Sequence, residues 1–83
     1  MPLLIAMPLD RYDRLMWKVS KFSRAYEIMQ NARIEPGLSD DHFVCTTKLV
    51  CRLDEAKMLL NLASRVYPNA IPDIARAIDS TSA

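Results

Sequence analysis

Eighty-three residues with 51% hydrophobic and 25% charged content describe a small globular chain, not a disordered or fibrous one. A net charge of +1 excludes a strong overall field toward nucleic acid or membrane, and a single glycine excludes both a dinucleotide fingerprint and a phosphate-cradling loop. Two cysteines without a CxxC pair are too few for a disulfide scaffold, so reduced thiols are expected.

A chain of this mass folds with roughly 5,000 Å² of surface exposed against about 14,000 Å² unfolded. Burial then contributes on the order of 130 kcal/mol, and ordering the chain costs about 125 kcal/mol. So thin a surplus favours a second copy or a partner. The segment Met1 to Leu9 lacks a basic n-region and runs directly into Asp10, and no stretch approaches the roughly 18 apolar residues of a membrane span. The expectation is a cytoplasmic protein with no signal peptide and no membrane span.

In chain order, Leu3-Leu4-Ile5-Ala6-Met7, bounded by Pro2 and Pro8, predicts a short buried strand over 3–8. Asp10 and Asp13 supply negative charge for a helix start. From Tyr12, the residues Leu15, Met16, Val19, Phe22, Tyr26 and Met29 recur at three- and four-residue steps, predicting one continuous helix over about 10–33 with Phe22 central to its packing. Pro36 and Gly37 end it, and Leu38-Ser39-Asp40-Asp41 reads as a turn. The period then changes to two. Phe43, Cys45, Thr47, Leu49, Cys51 and Leu53 share one face of a long strand over 43–53, with Val44, Thr46, Lys48, Val50 and Arg52 on the other. Asp54 and Glu55 open a helix over 54–67 that Pro68 closes, and Ile71, Ile74, Ala75 and Ile78 mark another over 70–79.

The expected fold is α+β, a small single domain over 1–83 in β-α-β-α-α order. Its two-stranded sheet pairs in parallel through a right-handed crossover, extends across an oligomer if a second copy adds to the long strand, and is packed by the helices. Residues 79–83 are expected to fray.

Chemistry is sparse. His42 beside Asp40 and Asp41 lacks a second histidine and the convergent ligands that a transition metal needs, so it reads as a solvated turn residue. His42 and Cys45 point to opposite faces of a strand, which disfavours a dyad, and Cys45 and Cys51 lie about 20 Å apart along it, too far to bridge. Asp54 and Glu55 are accounted for by the helix macrodipole. No catalytic residue, metal ligand or cofactor is expected, and the chain reads as a non-enzyme.

Charge is nevertheless unevenly placed: residues 1–24 hold five basic and two acidic groups, residues 25–83 six basic and eight acidic. Arg11, Arg14, Lys18, Lys21 and Arg24 form a cationic stripe on the first helix. Trp17 and Ile28 fall within or next to it, about 180° from the centre of the apolar face. Arg14, Trp17, Lys18, Lys21, Arg24 and Ile28 are the candidate partner-binding set, since aromatic residues and arginine concentrate at interface hot spots. The expected function is a protein–protein interaction module (a regulator, adaptor or inhibitor) that acts through this surface or a strand edge on another protein, a second copy, or both.

The alternative is a nucleic-acid-binding regulator. The run Lys48-Leu49-Val50-Cys51-Arg52-Leu53 followed by two helices resembles the ribbon-helix-helix repressors, over about thirty residues. That resemblance implies strands paired across a dimer, with Lys48, Val50 and Arg52 facing the major groove. The chain departs from the pattern at Pro68-Asn69, where the family's usual glycine is missing, and in the 45 or so residues before the strand.

Overall fold

The computed structural model describes residues 2–39 and 42–82. Three strands, β1 (Leu3–Pro8), β2 (Ala32–Ser39) and β3 (His42–Cys51), form an antiparallel sheet in the order β1-β3-β2. Four helices accompany it: α1 (Leu9–Val19), α2 (Ser23–Met29), α3 (Leu53–Val66) and α4 (Ile71–Ser82), with a 3-10 turn at Pro68–Ala70 leading into α4. The architecture is α+β, and β1, α3 and the extended β3 fall where periodicity places them.

The sheet differs from the expected parallel pair. β3 is central, with Leu3 opposite Cys51 and Ile5 opposite Leu49 on one side, and Ala32 opposite Leu49 and Ile34 opposite Thr47 on the other. A third strand is present because Ala32, Ile34 and Pro36 alternate with Arg33 and Glu35. As an edge strand, β2 can place Pro36 where no ladder donor is lost. Both edges of β3 are therefore occupied within the chain, which removes the long strand as a site for a second copy and leaves no free ribbon of the ribbon-helix-helix kind. The open edges belong to β1 and β2. α4 packs against β1, and a surface groove lined by Leu4 and Ala6 of the strand and by Arg76 and Ser80 of the helix lies at their junction.

The expected 10–33 helix is broken. At the end of α1 the Ser20 hydroxyl donates to the Trp17 carbonyl over 2.8 Å, and the backbone turns out of the α region at Phe22 (φ −100°, ψ 100°) before α2 begins. A serine hydroxyl that competes for a carbonyl weakens the helical ladder locally. The break re-aims the following residues: Ala25, Ile28 and Met29 turn inward, while Tyr26 turns out and Phe22 is only half-buried. The Tyr12 hydroxyl fastens the two helices by donating to the Met29 carbonyl.

Helices cover one face of the sheet. Leu3, Ile5, Met7, Leu49 and Cys51 meet Leu15, Val19, Met29, Leu59 and Ile74 in one buried core. Thr47, wholly buried in the same layer, satisfies its hydroxyl on the Met7 carbonyl at 3.0 Å. The other face shows Leu4, Ala6 and Val50 to solvent to varying degrees. This one-sided covering agrees with an accessible surface of 5473 Å², somewhat above the size expectation of roughly 5,000 Å². α4 runs to Ser82, three residues past the expected end; the Ser80 and Thr81 hydroxyls donate to the carbonyls of Arg76 and Ala77.

Candidate interaction surface

α1 presents its buried face through Tyr12, Leu15 and Val19, which leaves the opposite side to water. Trp17 stands on that side, 77% exposed. It lines two shallow depressions. One lies toward α2, with Asp13, Met16, Ser20 and Tyr26; the other lies toward the end of α3, with Lys18, Lys21 and Val66. Arg14, Lys18 and Lys21 are exposed on the same side, and Arg24, also exposed, lies farther off beside α3.

Of the residues expected on this surface, Ile28 is not there. It is 3% exposed and belongs to the core, because the bend after Val19 rotates α2 relative to α1 and carries its outward face away from Ile28. Arg11 also leaves the cationic stripe. Its Nε and Nη2 donate to the Asp73 carboxylate at 2.8 and 3.2 Å, joining α1 to the first turn of α4, and this hydrogen bonding raises the guanidinium pKa. Arg14, Lys18 and Lys21, by contrast, enter no ion pair with a described residue, although Lys21 lies 5.5 Å from the Phe22 ring centroid. Arg24 reaches Glu55 at 3.7 Å.

The alternative set on β3 is dispersed. Lys48 pairs with Glu35 of β2 at 3.1 Å, Val50 is half-buried, and Arg52 sits beyond the strand as the cap of α3. There its guanidinium bonds Asp54 at 3.2 Å and holds that carboxyl below the usual carboxylate range, while its backbone N–H donates to Glu55 at 2.9 Å. Each cation in this set thus has a carboxylate partner.

Cys45 is half-buried and Cys51 buried, both as free thiols, and burial with nearby Glu55 and Asp54 pushes the Cys51 thiol up to about 11. A thiol held neutral in this way is a poor nucleophile at neutral pH. Asp40 and Asp41 lie outside the described residues, and His42 begins β3 opposite Ser39. Among the described residues no group of three or more His, Cys, Asp or Glu is placed to hold a metal, and no helix is long and apolar enough to cross a membrane.

Sequence reasoning missed the residues that the bend brings to the surface. Tyr26 joins the Trp17 depression only because α1 and α2 are separate helices, and Val66 and Arg65 come near only through packing of α3. Ser20 and Ser23 beside Phe22 are the local signal that could have marked the break. No protein-family model, curated protein or solved structure matches the chain, so the functional reading rests on this geometry.

Proposed function

We propose that the chain is a small non-enzymatic protein–protein interaction module, acting as a regulator, adaptor or inhibitor through the outward face of α1. The exposure of Trp17 carries this reading: an indole 77% open to water, with Tyr26 and Met16 in the adjoining depression and Arg14, Lys18 and Lys21 around it. Buried aromatic and arginine anchors contribute most of the energy at interfaces, and a solvated tryptophan gains most from being covered. Self-association is the second mode. The bare outer edge of β2 supports it, together with Ile34, which is 57% exposed although it shares the helix-covered face with Thr47. A nucleic-acid role is not favoured, because Asp13 lines the depression beside Trp17, and Lys48 of β3 and Arg52 at the start of α3 are matched by carboxylates.

The test compares native protein with Trp17→Ala in co-purification from the native host, followed by titration of the recovered partner in purified form. Expected is a loss of affinity of about 30-fold or more, the size of a hot-spot truncation, with the circular dichroism spectrum unchanged. Equal affinity of the two forms would defeat the reading. Duplex DNA titrated at two salt concentrations addresses the competing class: tight binding that weakens steeply with salt would replace the proposal.

A further inference from the structure

Between α2 and α3 runs an open groove whose floor is Phe22, Met58 and Leu62, each half-buried and packed against the core. Its rim carries Lys21, Arg24 and Arg65, all exposed, and no carboxylate lines it. Of the three rim cations Glu55 reaches Arg24 alone, at 3.7 Å, and it shares its oxygens with Arg52. Lys21 and Arg65 enter no ion pair with a described residue. Lys21 also lines the depression beside Trp17, so the groove and the tryptophan surface adjoin at that residue.

We propose that this groove docks an acidic amphipathic helix of a partner protein, its apolar face against Phe22, Met58 and Leu62 and its carboxylates on Lys21, Arg24 and Arg65. An apolar floor recognises residues at i, i+3, i+4 and i+7 of a helix, and the one-signed rim selects the acidic flanks of that helix. A depression this open to solvent suits a helix better than an acyl chain, which needs enclosure on most of its surface. The flexible thioether of Met58 lets the floor adapt to different apolar side chains. This identification deepens the interaction reading above by naming the partner's chemistry, although its groove is distinct from Trp17 itself.

The test uses the full chain and two synthetic capped helical peptides. Both carry leucines at those spacings; the remaining positions are alanine and glutamate in one peptide and alanine and lysine in the other. Binding is followed through the methyl resonances of Met58 and Leu62. Expected is saturable movement of these resonances by the glutamate peptide, with the lysine peptide at least about 10-fold weaker. Lys21→Glu combined with Arg65→Glu, both exposed positions, should weaken the glutamate peptide about 10-fold and favour the lysine one. Unmoved resonances at millimolar glutamate peptide, or equal binding of the two peptides, would overturn the proposal. So would a single-stranded RNA oligonucleotide or a phosphatidylglycerol vesicle that moves the same resonances more strongly. If the glutamate peptide binds while Trp17→Ala leaves the native partner's affinity intact, the groove stands and the tryptophan reading fails. If Trp17→Ala releases the partner but the groove resonances do not respond to the glutamate peptide, the reverse holds.

Discussion

Replacing Arg11 with methionine removes the two bonds, at 2.8 and 3.2 Å, that join α1 to Asp73 of α4 and keeps most of the side-chain volume. Breaking a fully buried ion pair costs about 3–5 kcal/mol, whereas an exposed pair contributes at most about 1 kcal/mol. This pair falls between, since Asp73 is 3% exposed but the Arg11 side chain is 38% exposed and water can screen it. Asp73 also keeps its place in the first turn of α4, where the helix dipole contributes about 0.3–1 kcal/mol, and it retains Arg76 at 3.9 Å. The expected loss is therefore about 2 kcal/mol, or a fall in Tm of roughly 8–16 °C for a chain of this size. Urea and thermal denaturation of Arg11→Met, Asp73→Asn and the double variant form a mutant cycle with an expected coupling of about 1–2 kcal/mol. A loss under about 0.5 kcal/mol, or strictly additive single variants, would show that the pair is decorative and that Arg11 belongs with the free cations.

Two further outcomes follow from burial. Leu15→Ala should cost about 2–5 kcal/mol because Leu15 is fully buried, whereas Trp17→Ala on the same helix should cost under about 1.5 kcal/mol; comparable losses in urea melts would place the indole in the core. In native protein a thiol reagent should modify Cys45 well before Cys51, which should react only on unfolding; simultaneous labelling would contradict the burial of Cys51. With the folded thiol raised to about 11 from an ordinary 9.0, its contribution to stability is complete below pH 9.0 and falls as pH rises toward about 11, because the unfolded chain ionises first. Across that window the urea midpoint of Cys51→Ala should fall less than that of the native chain.

The elements legible in the sequence are those whose period is unambiguous. Leu3 to Met7 between prolines, the two-residue alternation from Cys45 to Cys51, and the apolar arc of α3 each appear as expected. The break at Phe22 was not legible in the apolar period, since a stripe through Val19, Phe22 and Tyr26 fits a straight helix as well as a bent one, and only Ser20 and Ser23 hint at it. The choice is made by packing of Ala25 and Ile28 into the core. The third strand, absent from the expected fold, escaped notice for a similar reason. Pro36 and Gly37 signal a loop when read locally, and only the pairing of β2 with β3 converts them into the edge of a sheet. For the candidate surface, Trp17 and its neighbours on α1 follow from one helix's geometry. The groove requires Met58, Leu62 and Arg65, contributed by a helix some 35 residues away, and no spacing rule connects them to Phe22.

β2 is bound to the molecule chiefly by its ladder with β3, and the helix layer stops short of Ile34. Backbone pairing without side-chain cover gives way before a packed core does, so the amides of β2 should exchange with deuterium through a low-energy opening that leaves β1, β3 and the helices intact. The chain would then carry two tiers of resistance to unfolding. Proteases should reach the segment between Asn31 and Ser39 first, and whatever covers that margin in a complex would slow its digestion before affecting the rest.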